Sequence, residues 1–198
     1  MSNIEKEIRF KISEDIARRI REISHVKVEP QKQIDLTLGY DGFESLANYG
    51  YVCRVRQKGK KIWMEIKRKV KDSTLVEFEE EKVSLSNFAN GVRFFEKLGM
   101  KPYLYMSRSR EIFEYNGLML FIDQIDMLGT YVEIEYQDTD NAEEKISSLK
   151  KVVGIDYEPS PLYGDIFKVL LENENFKNEF DNKLGNFLVT CQLEKQPL

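Results

Sequence analysis

Acidic and basic side chains recur at every second position in several short runs of this chain, the spacing at which a strand would line them up for joint chemistry. In Ile4-Glu5-Lys6-Glu7-Ile8-Arg9-Phe10-Lys11-Ile12, Glu5, Glu7, Arg9 and Lys11 share one parity, while Ile4, Ile8, Phe10 and Ile12 share the other. Strand side chains alternate between faces, so this run predicts one strip of mixed charge and one apolar strip. The same parity joins Arg54 to Arg56, Trp63 to Glu65 and Lys67, Arg108 to Arg110, and Glu133 to Glu135. Carboxylates gather in the first and last of these runs, and cations in the middle ones. Grouped carboxylates are hard oxygen donors for divalent ions, and guanidinium forks match the oxygens of phosphate. An open sheet would show these charges to bulk water. A closed one would bring them into a partly desolvated lumen, where a polyanion with bound divalent metal is a natural occupant.

Composition removes other chemistries. His25 is the only histidine, so a Ser-His-Asp triad or a histidine metal cluster has no material; its place after a predicted helix suits a surface or capping role. Cys53 and Cys191 are too few and too far apart for a metal motif or a disulfide framework, and reduced thiols are expected. Any chemistry must run on carboxylates, lysines, arginines and tyrosines. The net charge of −4 provides no basic excess, which argues against a nucleic-acid or anionic-membrane surface. No apolar run has the length of a membrane span, and the N-terminus lacks the features of a signal peptide, so a cytoplasmic protein is expected.

The elements that must position these residues follow from periodicity. A first strand leads into a helix with Ser13 as N-cap and Ile16, Ile20 and Ile23 as its buried stripe. Strands are predicted at 31–38, 51–57, 61–70, 75–83, 103–115, 118–126 and 130–137. A helix runs from Ser86 as N-cap to Gly99 just past its end, and helices at 140–152 and 161–173 precede a polar tail, 174–198, predicted irregular to about residue 186. The class is α+β, with a largely antiparallel sheet or barrel in residues 1–173. A short loop at Gly59-Lys60 sets Arg56 opposite Trp63 and Arg54 opposite Glu65. A two-residue Asn116-Gly117 turn sets Arg110 opposite Asp123. A loop Met127-Leu128-Gly129 predicts Asp123 opposite Glu133 and Phe121 opposite Glu135.

In order and spacing these segments resemble the CYTH family, also called triphosphate tunnel metalloenzymes, from about Ile4 to Tyr136. The family's Glu-x-Glu-x-Lys opening is matched by Glu5-Lys6-Glu7-Ile8-Arg9, with arginine for lysine and Lys11 on the same face. Its Arg-x-Arg is matched by Arg54-Val55-Arg56. Its Thr-x-Lys is matched by Glu65-Ile66-Lys67, a departure that adds negative charge among the phosphate binders. Arg108-Ser109-Arg110, Ile122-Asp123 and Leu128-Gly129-Thr130-Tyr131-Val132-Glu133-Ile134-Glu135 complete the likeness.

The resemblance implies an eight-stranded closed antiparallel β-barrel, a tunnel with helices packed outside. It further implies one or two Mg²⁺ or Mn²⁺ ions held by Glu5, Glu7, Asp123, Glu133 and Glu135. Arg9, Lys11, Arg54, Arg56, Lys67, Arg108 and Arg110 are the implied phosphate binders, with Glu5, Glu7 and Arg56 as catalytic residues. Glu77, Glu79 and Glu81 are further acidic candidates on the strand after Lys67. The expected activity is metal-dependent hydrolysis of a small-molecule triphosphate by a monomer or homodimer. A class IV-type adenylyl cyclase and a non-catalytic polyphosphate-binding module are the alternatives.

Overall fold

The computed structural model describes residues 4–70, 76–136 and 141–193. Its strands are β1 (Ile4–Lys11), β2 (His25–Gly39), β3 (Tyr51–Lys58), β4 (Lys61–Lys69), β5 (Val76–Leu85), β6 (Lys101–Tyr115), β7 (Leu118–Ile125) and β8 (Gly129–Tyr136). The helices are α1 (Glu14–Ile23), α2 (Ser45–Tyr49), α3 (Phe88–Lys97), α4 (Ala142–Val153), α5 (Tyr163–Leu170) and α6 (Glu174–Leu193). The strands close into an antiparallel barrel in the order β1-β5-β4-β3-β2-β6-β7-β8. No helix among the described residues is long and apolar enough to cross a membrane.

The chain divides into two compact units, each with its own core. The first unit comprises Met1–Gln33, Val70–Glu79 and Ser107–Ser160. Its core joins Phe10 and Ile12 of β1, Phe113 of β6, Leu120 and Ile122 of β7, and Val132 and Ile134 of β8 to Ala17 and Ile20 of α1 and Ile146, Leu149 and Val153 of α4. The apolar parity of the strands is therefore the face that these helices cover. Helix α1 begins as its sequence requires: the Ile16 N–H donates to the Ser13 side chain at 3.3 Å, and Glu14 and Asp15 suit the positive end of the dipole.

The second unit comprises Ile34–Lys69, Glu80–Met106 and Pro161–Leu198. Leu36 and Leu38 of β2 and Cys53 and Val55 of β3 pack against Phe88, Val92 and Phe95 of α3, with Cys191 of α6 in the same core. Helix α3 starts one residue later than its sequence suggests. The Asn90 N–H donates to the Asn87 side chain at 3.1 Å, and Gly99 follows the helix at φ +88°.

Two expectations are corrected. Residues 174–186 are not an irregular tail but most of α6. Its polar composition hides a stripe of Phe180, Leu184, Phe187, Leu188 and Cys191 at helical spacing, with the Phe187 ring 5.3 Å from Phe88 and 4.7 Å from Tyr105. The β7–β8 pairing also differs, with Asp123 opposite Tyr131 and Phe121 opposite Glu133. Met127 takes a positive φ of 69° ahead of Gly129 at 92°, so the turn closes over residues 126–128 and Gly129 opens the strand. The shift is two residues, and every side chain keeps its predicted face. The other two registers are as the turns predict: Arg56 faces Trp63, Arg54 faces Glu65, and Arg110 faces Asp123.

Because Phe180 is almost fully buried with its ring 5.5 Å from Phe167, Phe180→Ala is expected to cost about 3 kcal/mol in urea unfolding. An irregular tail would give no measurable loss.

Candidate active site

On the strand faces turned away from the first core, charge replaces apolar surface. Asp123 of β7 is fully buried, and three N–H donors converge on it: Arg108 Nη1 at 2.8 Å, Arg110 Nε at 2.7 Å and Arg110 Nη2 at 2.6 Å. Arg110 Nη2 also donates to Glu133 Oε1 at 3.0 Å, and its guanidinium lies 4.7 Å from the Phe121 ring centroid. Across the β1–β8 ladder, Glu7 sits opposite Glu135 and Arg9 opposite Glu133. Arg9 donates to Glu7 along its own strand and lies 3.7 Å from Glu133 Oε2. Carboxylate oxygens of Glu7, Glu133 and Glu135 all lie within 4.8 Å of one another.

Three acids packed this closely repel unless positive charge is shared among them, and two of them face each other directly across the ladder. Oxygen-only donors of this kind suit a hard divalent cation, so the residues fit the metal that the family likeness implies. Asp123 is placed differently from the other implied ligands. It is taken up by Arg108 and Arg110 and orients them, while the oxygen cluster forms from Glu7, Glu133 and Glu135. Glu5 pairs through its backbone with Phe78, and its side chain lies outside the described part of the structure. Lys11 is exposed, with its ammonium 6.0 Å from the Tyr131 ring centroid. The chain after α4 secures this end of β1. Ser160 N donates to Arg9 O at 2.8 Å, Lys11 N to Ser160 Oγ at 3.0 Å, and Tyr157 OH to Lys11 O at 2.6 Å.

The second unit carries its own group. Arg56 grips Asp35 of β2 with both edges of its fork, Nε to Oδ1 at 2.6 Å and Nη2 to Oδ2 at 2.9 Å. Arg54 donates to Glu65, whose other oxygen accepts from Trp63 Nε1 at 2.7 Å. Lys67 pairs with Glu80 at 2.5 Å. Burial works against the charged form of Glu65, but Arg54, Arg56, Lys67 and the Trp63 N–H together outweigh it and hold the carboxyl at about 2. Glu65 is therefore ionised throughout the neutral range.

Asp35 and Glu80 were absent from the sequence reading. Asp35 carries the same signal as the others, since Gln33, Asp35 and Thr37 alternate with Ile34, Leu36 and Leu38. Glu80 is masked by a run of acids. Glu77, Glu79 and Glu81 have the other parity, and Glu77 pairs with Lys6 at 3.0 Å. Of the acids on β5, it is Glu80 that meets Lys67.

The chain belongs to the CYTH domain family, whose model matches residues 3–156. Similar solved structures include a conserved hypothetical protein from Pyrococcus furiosus, 25% identical with a TM-score of 0.69, covering 81% of this chain and 98% of that one. A Pyrococcus horikoshii protein is 21% identical with a TM-score of 0.67, over 81% of this chain and 98% of its own. A Hippeastrum protein, named as an adenylyl cyclase candidate with a dominant triphosphatase activity, is 18% identical with a TM-score of 0.63, over 85% of this chain and 96% of its own. No curated protein matches the chain in sequence.

If Asp123 is the anchor for both arginines, Asp123→Ala leaves two guanidinium groups short of a buried counter-charge. A stability loss of about 3 kcal/mol in chemical denaturation is expected. A change within error would show that the arginines find equivalent partners elsewhere.

Proposed function

We propose that this protein hydrolyses a triphosphate with the help of a divalent cation. The observation that carries the reading is the oxygen cluster of Glu7, Glu133 and Glu135 lying beside Arg9 and Arg110 on one charged face. These three acids would hold Mg²⁺ or Mn²⁺, which when bound polarises phosphoryl oxygens and promotes ionisation of water. Phosphoryl transfer asks mainly for positioning and charge neutralisation, so histidine is not required.

The chain's own contribution is orientation. Arg108 and Arg110 are fixed on Asp123 before any ligand arrives, so less side-chain freedom is lost when they meet phosphate oxygens. Arg110 touches both Asp123 and Glu133 and therefore couples a phosphate-binding group to the acid cluster. Arg9 does the same for Glu7 and Glu133. In the second unit Arg54, Arg56 and Lys67 are further phosphate-binding candidates, each set against a carboxylate. Lys11, exposed and at the end of β1, serves as an outlying cation for the substrate.

Conversion of ATP to cyclic AMP is the second reading, prompted by the cyclase part of the Hippeastrum neighbour's name, although the activity called dominant there is triphosphatase. Phosphate release from tripolyphosphate, ATP and thiamine triphosphate, with Mg²⁺ or Mn²⁺, tests the first. At least one substrate is expected to turn over, with Glu135→Gln lowering the rate about 100-fold or more without a comparable loss of stability. Arg56→Ala is expected to raise KM more than it lowers kcat. No turnover of any substrate by pure protein would reject hydrolysis, and cyclic AMP from ATP would replace it with cyclisation.

A further inference from the structure

In the second unit each inner cation meets a carboxylate: Arg56 grips Asp35, which also lies 3.7 Å from Arg54, Arg54 donates to Glu65, and Lys67 pairs with Glu80, which Lys82 shares. The carboxylates offset the inner cations, so a free anion arriving here meets fixed negative charge beside the positive. Glu65 is held firmly in place. It is 2% exposed, one oxygen is held by Arg54 and the other by the Trp63 N–H, and protonation does not discharge it in the neutral range. A polyphosphate oxygen approaching Arg54 must share that guanidinium with a fixed carboxylate, and such a like-charge contact opposes binding.

We propose that Glu65 is a specificity-determining residue: by keeping Arg54 compensated, it makes the protein accept a triphosphate as its divalent-metal complex and discriminate against the metal-free anion. A metal-bound polyphosphate has part of its charge cancelled before it arrives, so its repulsion from Glu65 and Asp35 falls while its oxygens still meet Arg54 and Arg56. The inference rests on the polyphosphate reading of the site, but not on turnover.

Calorimetric titration with tripolyphosphate, once in EDTA and once in Mg²⁺, separates the two ideas. Glu65→Gln keeps the size of the side chain and removes its charge. It is expected to bind tripolyphosphate about tenfold tighter than wild type in EDTA, with the gain falling to about threefold or less in Mg²⁺. Trp63→Phe removes the N–H that fixes Glu65 and is expected to shift the metal-free affinity in the same direction by a smaller factor, which keeps the test open should Glu65→Gln fold poorly. Equal metal-free affinity for wild type and variants overturns the inference. So does a gain as large in Mg²⁺ as in EDTA, or no binding by any of the proteins in either condition. The predicted affinity pattern without turnover of any substrate would uphold Glu65 and reject hydrolysis. Turnover by wild type with no affinity change in the variants would do the reverse.

Discussion

A carboxylate or guanidinium group taken out of water must meet an opposite charge, and almost everything in this structure answers to that demand. Asp123 is fully buried because Arg108 and Arg110 converge on it; without them its charge would be untenable there. Arg110 in turn reaches Glu133, and Arg9 ties Glu133 to Glu7. The strands can hold these chains of alternating charge because their other face is apolar and covered by α1 and α4, which fixes the direction in which each polar side chain points. A slip of one residue in any strand would exchange the two faces and place ions in the core. The buried charges thus specify register as well as supplying a site.

The two units meet the demand in different ways. In the second, each acid lies against a base, and Glu65 is doubly held. In the first, three carboxylates crowd together, and Arg9 and Arg110 touch the cluster from its sides. Pairing of the first kind makes a surface that is polar but compensated. Crowding of the second kind creates a place where added positive charge lowers the energy. The cation site proposed for the first unit and the discrimination proposed for the second both follow from where the acids lie, more than from how many there are.

Much of this was legible in the residue order. Alternation with period two is a strong signal when one face is apolar, and it placed Glu7, Arg9, Arg54, Arg56, Glu65, Lys67, Arg108, Arg110, Asp123, Glu133 and Glu135 on their observed faces. Asn116-Gly117 and Gly59-Lys60 fixed two registers because their turns leave little choice. The third register was missed by two residues because Met127 adopts a left-handed conformation ahead of Gly129, a choice that residue type does not announce. Glu80 was hidden among neighbouring acids, where parity has no apolar contrast to read against. Helix α6 was missed for a related reason, since its apolar stripe is thin within a polar sequence and gains its stability from docking on Phe88 and Tyr105.

The acid cluster is the point at which fold and chemistry meet, and it can be probed without any substrate. Electron paramagnetic resonance of Mn²⁺ titrated into metal-stripped protein reports the ion directly. Saturable, stoichiometric binding by wild type, tightened by tripolyphosphate and lost in Glu133→Gln, is the expected result. Non-saturating binding, or binding that Glu133→Gln leaves unchanged, would contradict the assignment of Glu7, Glu133 and Glu135 as the cation site.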